Sequence, residues 1–504
     1  MTRPLTAHRH RSGILLTGAI CLTLAAGWAV HHGLQAAHYG HGSSRLAAVW
    51  AVTFLLLATQ TAMYHAERPH RLSTRAHRQL DALHVAVLLP VYNEDEGYLR
   101  LGLESMLAQT RRPDSVHIVD DGSTHGDYAT VRAWWTQAAT EAGITTTWKR
   151  TANKGKRHAQ AAAVGASPQA DVYVTVDSDS CLAPNALEEL LLPFGARSRR
   201  TLLGRRQKPV QSVAGLVLAT NHRTNLLTRI CDLWLTTGQL TDRSALSATG
   251  AVLVNSGPLA AYRAPIVRDN LGSYLDEWFM GRLVNFSDDS MLTLYALLRG
   301  RTVQQPTAVA FTALPERPQH FARMYLRWMR GSTIRSVWRF RYLPLTSWPY
   351  WAHLLRWFQL ALSSAVLVWL LIVEPAAYDR TPPASFLIVP FLIGWAQGLR
   401  YLSITRNDET FADRLITWLL MPLAVICSWT ALRAMRWYGM ATCARTGWGT
   451  RQNGAEVTLD AAPVPDNDTE QLPVMKLLDP DSETTLTVPI PRQRTAVPQP
   501  EGTR

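Results

Sequence analysis

Two stretches, VHIVDDGS at residues 116–123 and DVYVTVDSDS at residues 171–180, decide the fold of this 504-residue chain. Each begins with a run of apolar, largely β-branched residues of the kind that forms a buried parallel strand, and each ends in aspartates. In an open α/β sheet, the carboxyl ends of such strands form the edge at which ligands bind. The two stretches therefore predict an α/β sheet with a carboxylate-lined site along that edge.

A third acidic pair, Asp288-Asp289, lies in NFSDDSMLTLYAL at residues 285–297. Carboxylates crowded at one edge repel each other unless a cation lies among them, and the pair Asp177 and Asp179 offers hard oxygen ligands for Mg²⁺ or Mn²⁺. A metal bound there would bind a diphosphate, which indicates a nucleotide-activated substrate. A solvated turn is the alternative for any single cluster, because Asp-Gly and Asp-Ser are common turn pairs. Three clusters, two of them at strand ends, weigh against it.

Long uncharged apolar segments indicate an integral membrane protein. Two precede the acidic region, at residues 14–30 and 46–64, and three follow it, at 358–373, 386–399 and 415–432. Each of the first two is long enough to span or nearly span a bilayer. Because a second apolar segment follows at once and the first lacks a clear small-x-small cleavage site, we interpret them as an anchored helix pair rather than a signal peptide.

The placement of the arginines predicts the orientation of these segments. Of the net charge of +13, much lies at the N-terminus and just after the second apolar segment, whereas the loop between the first two segments holds only Arg45. By the positive-inside rule, the N-terminus and residues 65–340 are cytoplasmic. We expect a multi-pass plasma-membrane protein with four spans, a lipid bilayer as partner, and no nucleic acid. Segment 415–432 is predicted to be re-entrant or interfacial because Arg433 and Arg436 follow it, with a fifth full span as the rival.

Periodicity and turn residues predict alternating strands and helices. The predicted strands are residues 84–91, 116–121, 145–149, 171–177, 212–219 and 249–254. The predicted helices are residues 97–109, 128–142, 184–194 and 289–299, with a further helix opened by KGKRHAQ at 154–160. The expected divisions are a stub with two membrane helices (1–66), a cytoplasmic domain (67–320), interfacial and membrane helices (321–452), and a disordered polar tail (453–504).

Seven motifs occur in a fixed order between the apolar segments: VAVLLPVYNED, VDDGS, KGKRHAQ, VTVDSDS, ATGAVLVNSGPLAAYR, DDSMLT and RW. This set resembles the processive family-2 glycosyltransferases, and PNALEELLLPF, TNLLTR and SGPLAAYR resemble the bacterial hyaluronan synthases within that family. The likeness covers about residues 84–340, together with Trp448-Gly449-Thr450-Arg451. It implies a GT-A glycosyltransferase domain, an α/β Rossmann-like mixed sheet, embedded between transmembrane and interfacial α-helices.

The resemblance implies a role for each matching residue. The residues that it implies for binding of the donor nucleotide are Tyr92, Glu94, Asp121, Lys156, Arg157, Asp177, Arg327, Trp448 and Arg451. For the metal, Mg²⁺ or Mn²⁺, it implies Asp179 with Asp177 beside it. The catalytic base would be Asp289, which the adjacent charge of Asp288 helps to keep basic. On the acceptor side it implies Trp328, Asp288, Gly257 and Pro258.

Some of these residues also fit plainer roles. Lys156 and Arg157 begin a predicted helix, where cations and free amides suit a phosphate, but a solvated basic helix start has the same composition. Gly257-Pro258 alone is typical of a turn after a strand. Arg327 and Trp328 lie in a segment that also fits an interfacial amphipathic helix.

Two positions depart from the family pattern. Met324 stands where the family has the Gln of its Q-x-x-R-W element, followed by Tyr325, and that Gln usually helps to hold the acceptor end. Ser287, where the family usually has Gly or Glu, precedes the acidic pair. The first departure leaves processivity open.

Three functions are compatible with the sequence. The leading one is an inverting synthase that extends a β-linked polysaccharide from UDP-N-acetylglucosamine and UDP-glucuronate onto a growing polysaccharide acceptor and passes it outward, with hyaluronan as product. The second is a chitin-oligosaccharide or other N-acetylglucosaminyl transferase that uses one sugar. The third is a catalytically impaired transport or regulatory membrane protein, against which the intact acidic clusters argue.

Overall fold

A computed structural model describes residues 4–10, 12–36, 43–196, 207–379, 384–447, 455 and 457–459. Its strands are β1 Ala7–Arg9, β2 Val85–Val91, β3 Ser115–Asp120, β4 Thr145–Arg150, β5 Val172–Thr175, β6 Ser180–Leu182, β7 Val210–Ala219, β8 Ala260–Arg263, β9 Trp278–Phe279, β10 Arg282–Leu283, β11 Arg301–Thr312 and β12 Ile404–Arg406.

The α-helices are α1 Gly13–Ala36, α2 Ser43–Ala66, α3 Thr74–Asp81, α4 Glu96–Leu107, α5 Ala129–Glu141, α6 Lys156–Ala166, α7 Ala186–Leu191, α8 Leu226–Gly238, α9 Ser244–Ala248, α10 Ala264–Arg268, α11 Leu271–Leu275, α12 Asp288–Arg299, α13 Pro318–Tyr342, α14 Trp348–Val368, α15 Glu374–Tyr378, α16 Ala384–Gly398, α17 Phe411–Leu419, α18 Met421–Trp429 and α19 Ala431–Ala441. Short 3₁₀ turns cover Leu192–Gly195 and Tyr401–Ser403, and π-helical turns cover Gln239–Arg243 and Trp369–Val373.

An eight-stranded mixed sheet in the order β4-β3-β2-β5-β8-β7-β11-β6 forms the centre of residues 85–312. The first four strands are parallel, β8 is antiparallel to both of its neighbours, and β11 runs parallel to β7. Alternate residues of β2 enter two different cores, Val87 on one face and Leu88 on the other. This burial on both faces explains why β2 is a continuous apolar run, and the sheet confirms the predicted mixed α/β fold.

One predicted strand, residues 249–254, is wrong. Only Ala251 in this segment forms a bridge, to Thr302. Gly250, with a φ of +72°, turns the chain after α9, and beyond Ala251 no strand forms among the described residues before β8. Val252 and Leu253 are buried in a core without pairing as a strand, which is how an apolar run can imitate one.

A two-stranded sheet joins the beginning of the chain to a much later segment. Strand β1 pairs antiparallel with β12, with Ala7 opposite Arg406. Arg9 forms a buried ion pair with Glu67 at 3.0 Å. Arg406 donates from Nη2 to the carbonyl oxygen of Ala219 in β7 at 2.6 Å. The segment before α1 and the segment after α16 therefore both lie against the central domain.

Within the described residues, three helices are long and apolar enough to cross a membrane: Gly13–His32, Trp348–Tyr378 and Phe411–Ala441. The predicted segment 46–64 lies in α2. The third candidate consists of α17, α18 and α19, which break at Leu420 and Thr430. Trp448–Arg451 and almost all of the predicted tail lie outside the described residues.

Candidate active site

Two of the three predicted acidic clusters meet at the carboxyl edge of the sheet, around the ammonium group of Lys156. Its Nζ lies 2.6 Å from Oδ1 of Asp177 and 3.1 Å from Oδ2 of Asp288. Burial alone would lower the pKa of Lys156, but these two carboxylates outweigh it and raise the pKa above its usual range. The positive charge of Lys156 therefore allows the carboxylates to lie side by side.

Asp288 and Asp289 at the start of α12 have opposite electrostatic environments. Burial would raise the pKa of Asp288, but the charge and hydrogen bond of Lys156 hold that pKa below its usual range. Burial, followed by the negative charge of Asp288, raises the pKa of Asp289 to about 7. A carboxylate whose pKa lies near neutral pH is suited to exchange a proton with a substrate hydroxyl.

The turn that presents this pair is tightly held. Ser287 precedes α12 with φ 64° and ψ 43°, in the left-handed region that favours glycine. The conformation explains why a Gly suits this position in the family pattern, and Ser adopts it at a cost of roughly 1–2 kcal/mol. A Cβ added at Gly331 of α13 would lie 2.5 Å from Oγ of Ser287. Helix α13 therefore packs directly against the turn.

Glu94, after β2, and Ser178, after β5, connect two neighbouring strand ends. Ser178 donates from Oγ to Oε2 of Glu94 at 2.5 Å, and both residues are buried. Asn93, with φ 45°, accepts the N–H of Thr124 on Oδ1 at 2.8 Å. Tyr92, just before them, is half-buried. The predicted uridine residues Tyr92 and Glu94 thus lie at the same edge as Asp177.

Asp121 has a structural role that the sequence did not indicate. Its two carboxylate oxygens accept the backbone N–H groups of Lys154 and Gly155 at 3.0 and 2.8 Å. Burial raises the pKa of Asp121, against the effect of these hydrogen bonds. The aspartate therefore fixes the turn that leads into α6 and so positions Lys156.

The structure gives Arg157 partners other than the predicted phosphate. Its guanidinium is buried, donates to the carbonyl oxygens of Tyr274 and Phe286 at 3.0 and 2.7 Å, and lies 2.7 Å from Glu277. Arg157 points along α6 into the core while Lys156 points to the carboxylates. These contacts occupy the guanidinium of Arg157, and its expected role as a phosphate ligand stays a prediction.

The predicted acceptor residues lie on two elements. A Cβ added at Gly257 would lie 2.8 Å from Oδ2 of Asp177, so only glycine permits this approach, and Pro258 beside it is half-buried. On α13, Arg327 and Trp328 are half-buried. Met324 on the same helix is buried, with 9% of its surface exposed.

The comparisons with known proteins agree with this geometry. The model of the family described as glycosyl transferase family 2 matches residues 86–270. A hyaluronan synthase of Streptococcus pyogenes is 33% identical over 375 residues, which cover 73% of this chain and 83% of that protein. The chain belongs to glycosyltransferase family 2. Its mixed sheet is the GT-A fold, and the protein is a glycosyltransferase.

Other similar proteins act on different sugars. An N-acetylglucosaminyltransferase of Rhizobium meliloti is 34% identical to this glycosyltransferase over 266 residues, which cover 52% of this chain and 58% of that protein. A solved mannosyltransferase from Pyrobaculum calidifontis, in complex with GDP-Man and Mn²⁺, covers 84% of this chain and 98% of its own, with 18% identity and a TM-score of 0.46.

The glycosyltransferase has two carboxylates, Asp177 and Asp179, whose oxygens could bind a divalent metal. The described residues hold no group of three or more His, Cys, Asp or Glu side chains that could bind a metal ion. Mg²⁺, however, usually binds through one or two carboxylates, with water and substrate phosphates as the other ligands. Asp177 and Asp179 are both partly exposed at the sheet edge, and Thr312 donates from Oγ1 to Oδ1 of Asp179 at 3.1 Å. The donor chemistry of this pair therefore fits.

A buried polar network behind the site was missed by the sequence reasoning. Glu277 accepts both Nη groups of Arg335, at 2.8 and 3.0 Å, and Nε1 of Trp338 at 2.7 Å. Through Arg157 the same carboxylate also contacts α6. Because Arg335 and Trp338 belong to α13, Glu277 fixes the Lys156 helix relative to the Trp328 helix. Only the tertiary fold brings these residues together, and no sequence motif marked them.

Proposed function

We propose that this chain is a membrane-embedded, inverting glycosyltransferase that polymerises a β-linked polysaccharide from UDP-sugars, with hyaluronan as the product. The observation that carries the proposal is the Asp288-Asp289 pair: one carboxylate is paired with Lys156 and the other has a pKa near neutral. Similarity to a hyaluronan synthase over most of both chains supports the choice of product.

In the proposed reaction, Asp289 takes the proton from the acceptor hydroxyl as that oxygen attacks the anomeric carbon of the donor sugar. Attack from the side opposite to the departing UDP inverts the configuration at that carbon. Asp289 lies at the N-terminus of α12, where the first N–H groups of the helix have no partner within the helix. One of them, the N–H of Ser290, donates to Oδ1 of Asp289 at 2.6 Å and helps to orient the carboxylate.

The donor diphosphate would lie near Lys156, Asp177 and Asp179. A bound Mg²⁺ or Mn²⁺, held by Asp179 and Asp177, would neutralise charge on the departing UDP. Lys156 would then exchange part of its contact with Asp177 for a contact with a phosphate oxygen. Tyr92 and Glu94 would bind the uridine, and Trp328 would present its ring to the acceptor sugar.

The catalytic residues are proposed to lie on the cytoplasmic side, so that the polymer passes outward between the membrane helices. The arginine distribution around the apolar segments supports this orientation. Exposed apolar residues of α14, such as Trp351 and Phe358, support contact of that helix with lipid. We propose four crossings, formed by α1, α2, α14 with its continuation, and α16.

The test is product formation by purified membranes given each UDP-sugar alone and in pairs. Hyaluronan synthesis predicts a polymer only when UDP-N-acetylglucosamine and UDP-glucuronate are both present, and the polymer should be degraded by a hyaluronan-specific lyase. The similarity to an N-acetylglucosaminyltransferase supports the second candidate. A polymer or oligomer from UDP-N-acetylglucosamine alone, digested by chitinase, would replace the first proposal with that one.

The matched variants are Asp289→Asn and Asp269→Asn. Asp289 lies in the first turn of α12, whereas Asp269 is an exposed residue outside this helix that pairs at 2.6 Å with Arg299 at its far end. Asp269→Asn should leave product formation unchanged, and Asp289→Asn should abolish it.

A further inference from the structure

Two arginines beside the candidate base have no carboxylate partner. Arg243, in the π-helical turn after α8, donates from Nη2 to Oγ of Ser256 at 2.7 Å and from Nη1 to Oε1 of Gln239 at 3.2 Å. Arg339 on α13 is only 3% exposed and donates from Nη2 to the carbonyl oxygen of Leu253 at 2.6 Å. In the part of the chain that the structure describes, neither guanidinium lies within 4.0 Å of an Asp or Glu oxygen.

Three deeply buried arginines differ from Arg243 and Arg339 in this respect. Arg157 and Arg335 both pair with Glu277, and Arg406 pairs with Asp408 at 2.6 Å. A buried cation without a counter-charge is costly, so its retention calls for a reason. The pKa values of Arg243 and Arg339 are accordingly lowered by burial, to about 10 and about 9.

Both guanidiniums are directed at the same place. They hold the two ends of the segment 253–256, which precedes Gly257, the residue in contact with Asp177. The negative charge of Asp289 acts on both of them, counteracting the effect of burial on their pKa values. Arg243 is partly open to solvent, whereas Arg339 lies deeper. A sugar bound next to Asp289 would therefore lie in a positive field from two sides.

We propose that Arg243 and Arg339 recognise the carboxylate of a uronic acid unit held next to Asp289, Arg243 by direct contact and Arg339 through its charge. A planar guanidinium matches a carboxylate with two parallel hydrogen bonds, and it gains much less from a neutral hydroxymethyl group. The inference rests on the proposed function, because it assigns the anionic sugar of that polymer to particular residues. This role would also explain why two arginines without a carboxylate partner are present next to the acceptor site, since a polymer of neutral sugars would not require their charge.

UDP-glucose is the matched probe, since its sugar differs from that of UDP-glucuronate only in carrying a hydroxymethyl group instead of the carboxylate. Polymer formation with UDP-N-acetylglucosamine is measured with each of the two as second donor, and the ratio of the two rates is the selectivity. For Arg243→Gln and Arg339→Gln, the selectivity for the uronate should fall by about 10- to 100-fold, the range expected for losing a charged hydrogen bond. Arg243→Lys, which keeps the positive charge, should retain part of the selectivity for the uronate.

Arg263→Gln is the matched control. Arg263 on β8 is a partly buried arginine that pairs with no carboxylate among the described residues. It donates to the carbonyl oxygens of Val210 and Phe194, and not to the segment 253–256 that Arg243 and Arg339 hold. Its selectivity should equal that of the wild type. Binding of UDP to each variant, measured by calorimetry, reports whether the donor site is still folded.

The outcomes separate the two proposals. Wild-type selectivity in Arg243→Gln and in Arg339→Gln, with UDP binding intact, would overturn this inference and leave the proposed function standing. A wild-type enzyme that makes its polymer from UDP-N-acetylglucosamine alone would overturn the proposed function itself. Loss of UDP binding in Arg339→Gln would leave Arg243→Gln and Arg243→Lys to decide.

Discussion

Below about pH 7, the turnover of this glycosyltransferase should fall about tenfold for each pH unit, because Asp289 must be ionised to accept a proton. Burial and the charge of Asp288 raise the pKa of Asp289 to about 7. About a tenth of these side chains would then be ionised at about pH 6, and about nine tenths at about pH 8. The rate of UDP release at saturating UDP-sugar should rise with pH and level off above that pKa.

The same raised pKa has a consequence for stability. The pKa of Asp289 in the folded protein lies above the ordinary value of 3.8, so the folded state holds this proton more tightly than the unfolded state does. The free energy of unfolding therefore falls as the pH rises from about 4 to about 7. The difference of about three pKa units corresponds to about 4 kcal/mol. Asp289→Asn, which is always neutral, should therefore unfold at a higher temperature than the wild type, by a margin that widens between about pH 4 and about pH 7 and is constant above.

The activity and the stability predictions are tested together by measuring turnover and thermal unfolding of the enzyme purified in detergent. Asp289→Asn should lose about 10²- to 10⁴-fold in turnover while binding UDP almost as the wild type does. The control Asp269→Asn should match the wild type in both assays. A turnover that does not change between about pH 5 and pH 7, or an Asn variant that keeps a tenth of the activity, would refute the assignment of Asp289 as the base.

Asp179→Ala should abolish metal-dependent binding of UDP in calorimetry, because the diphosphate would lose its counter-charge; equal binding by the wild type with and without Mn²⁺ would contradict the metal assignment. Glu277→Gln should destabilise the protein by about 3–5 kcal/mol, since it leaves two buried arginines uncompensated, whereas Glu104→Gln, at an exposed pair with Arg100, should cost less than about 1 kcal/mol. Met324→Gln should lengthen the polymer seen on a gel if an amide at this position holds the acceptor end, and an unchanged size would assign that task to other residues. A cysteine placed after residue 460 should resist an impermeant reagent applied to intact cells, and efficient labelling would place the tail outside.

The sequence was sufficient for those parts of the fold that depend on local pattern. The apolar run of β2 could be recognised because burial on both faces requires an uninterrupted set of apolar residues. The same criterion failed at 249–254, where Val252 and Leu253 are buried by packing and make no ladder. Composition predicts burial, but it does not distinguish a buried segment that pairs as a strand from one, such as Val252-Leu253, that only packs in a core.

For the site, the acidic residues were predictable but their pairing was not. Asp177 and Asp288 follow different elements, and the structure places Lys156 between them. The adjacent Arg157 had the same expected role, yet a rotation of one position along α6 directs it to Glu277. Sequence identifies which charges are present, whereas the helix direction decides which of two neighbours reaches the site.

The pairing of β1 with β12 restricts the membrane topology by parity. Two strands joined in one sheet lie on the same side of a bilayer, so the chain between Arg9 and Ile404 must cross it an even number of times. The same argument applies to the broken helix that follows: Asp413 at its start lies 3.7 Å from Arg223, and Thr442 at its end accepts Nε of Arg330 at 3.2 Å. With both ends against one domain, we predict that this segment enters and leaves the bilayer on the same side. Reporters fused ahead of β1 and inserted near Asn407 should therefore always report the same compartment.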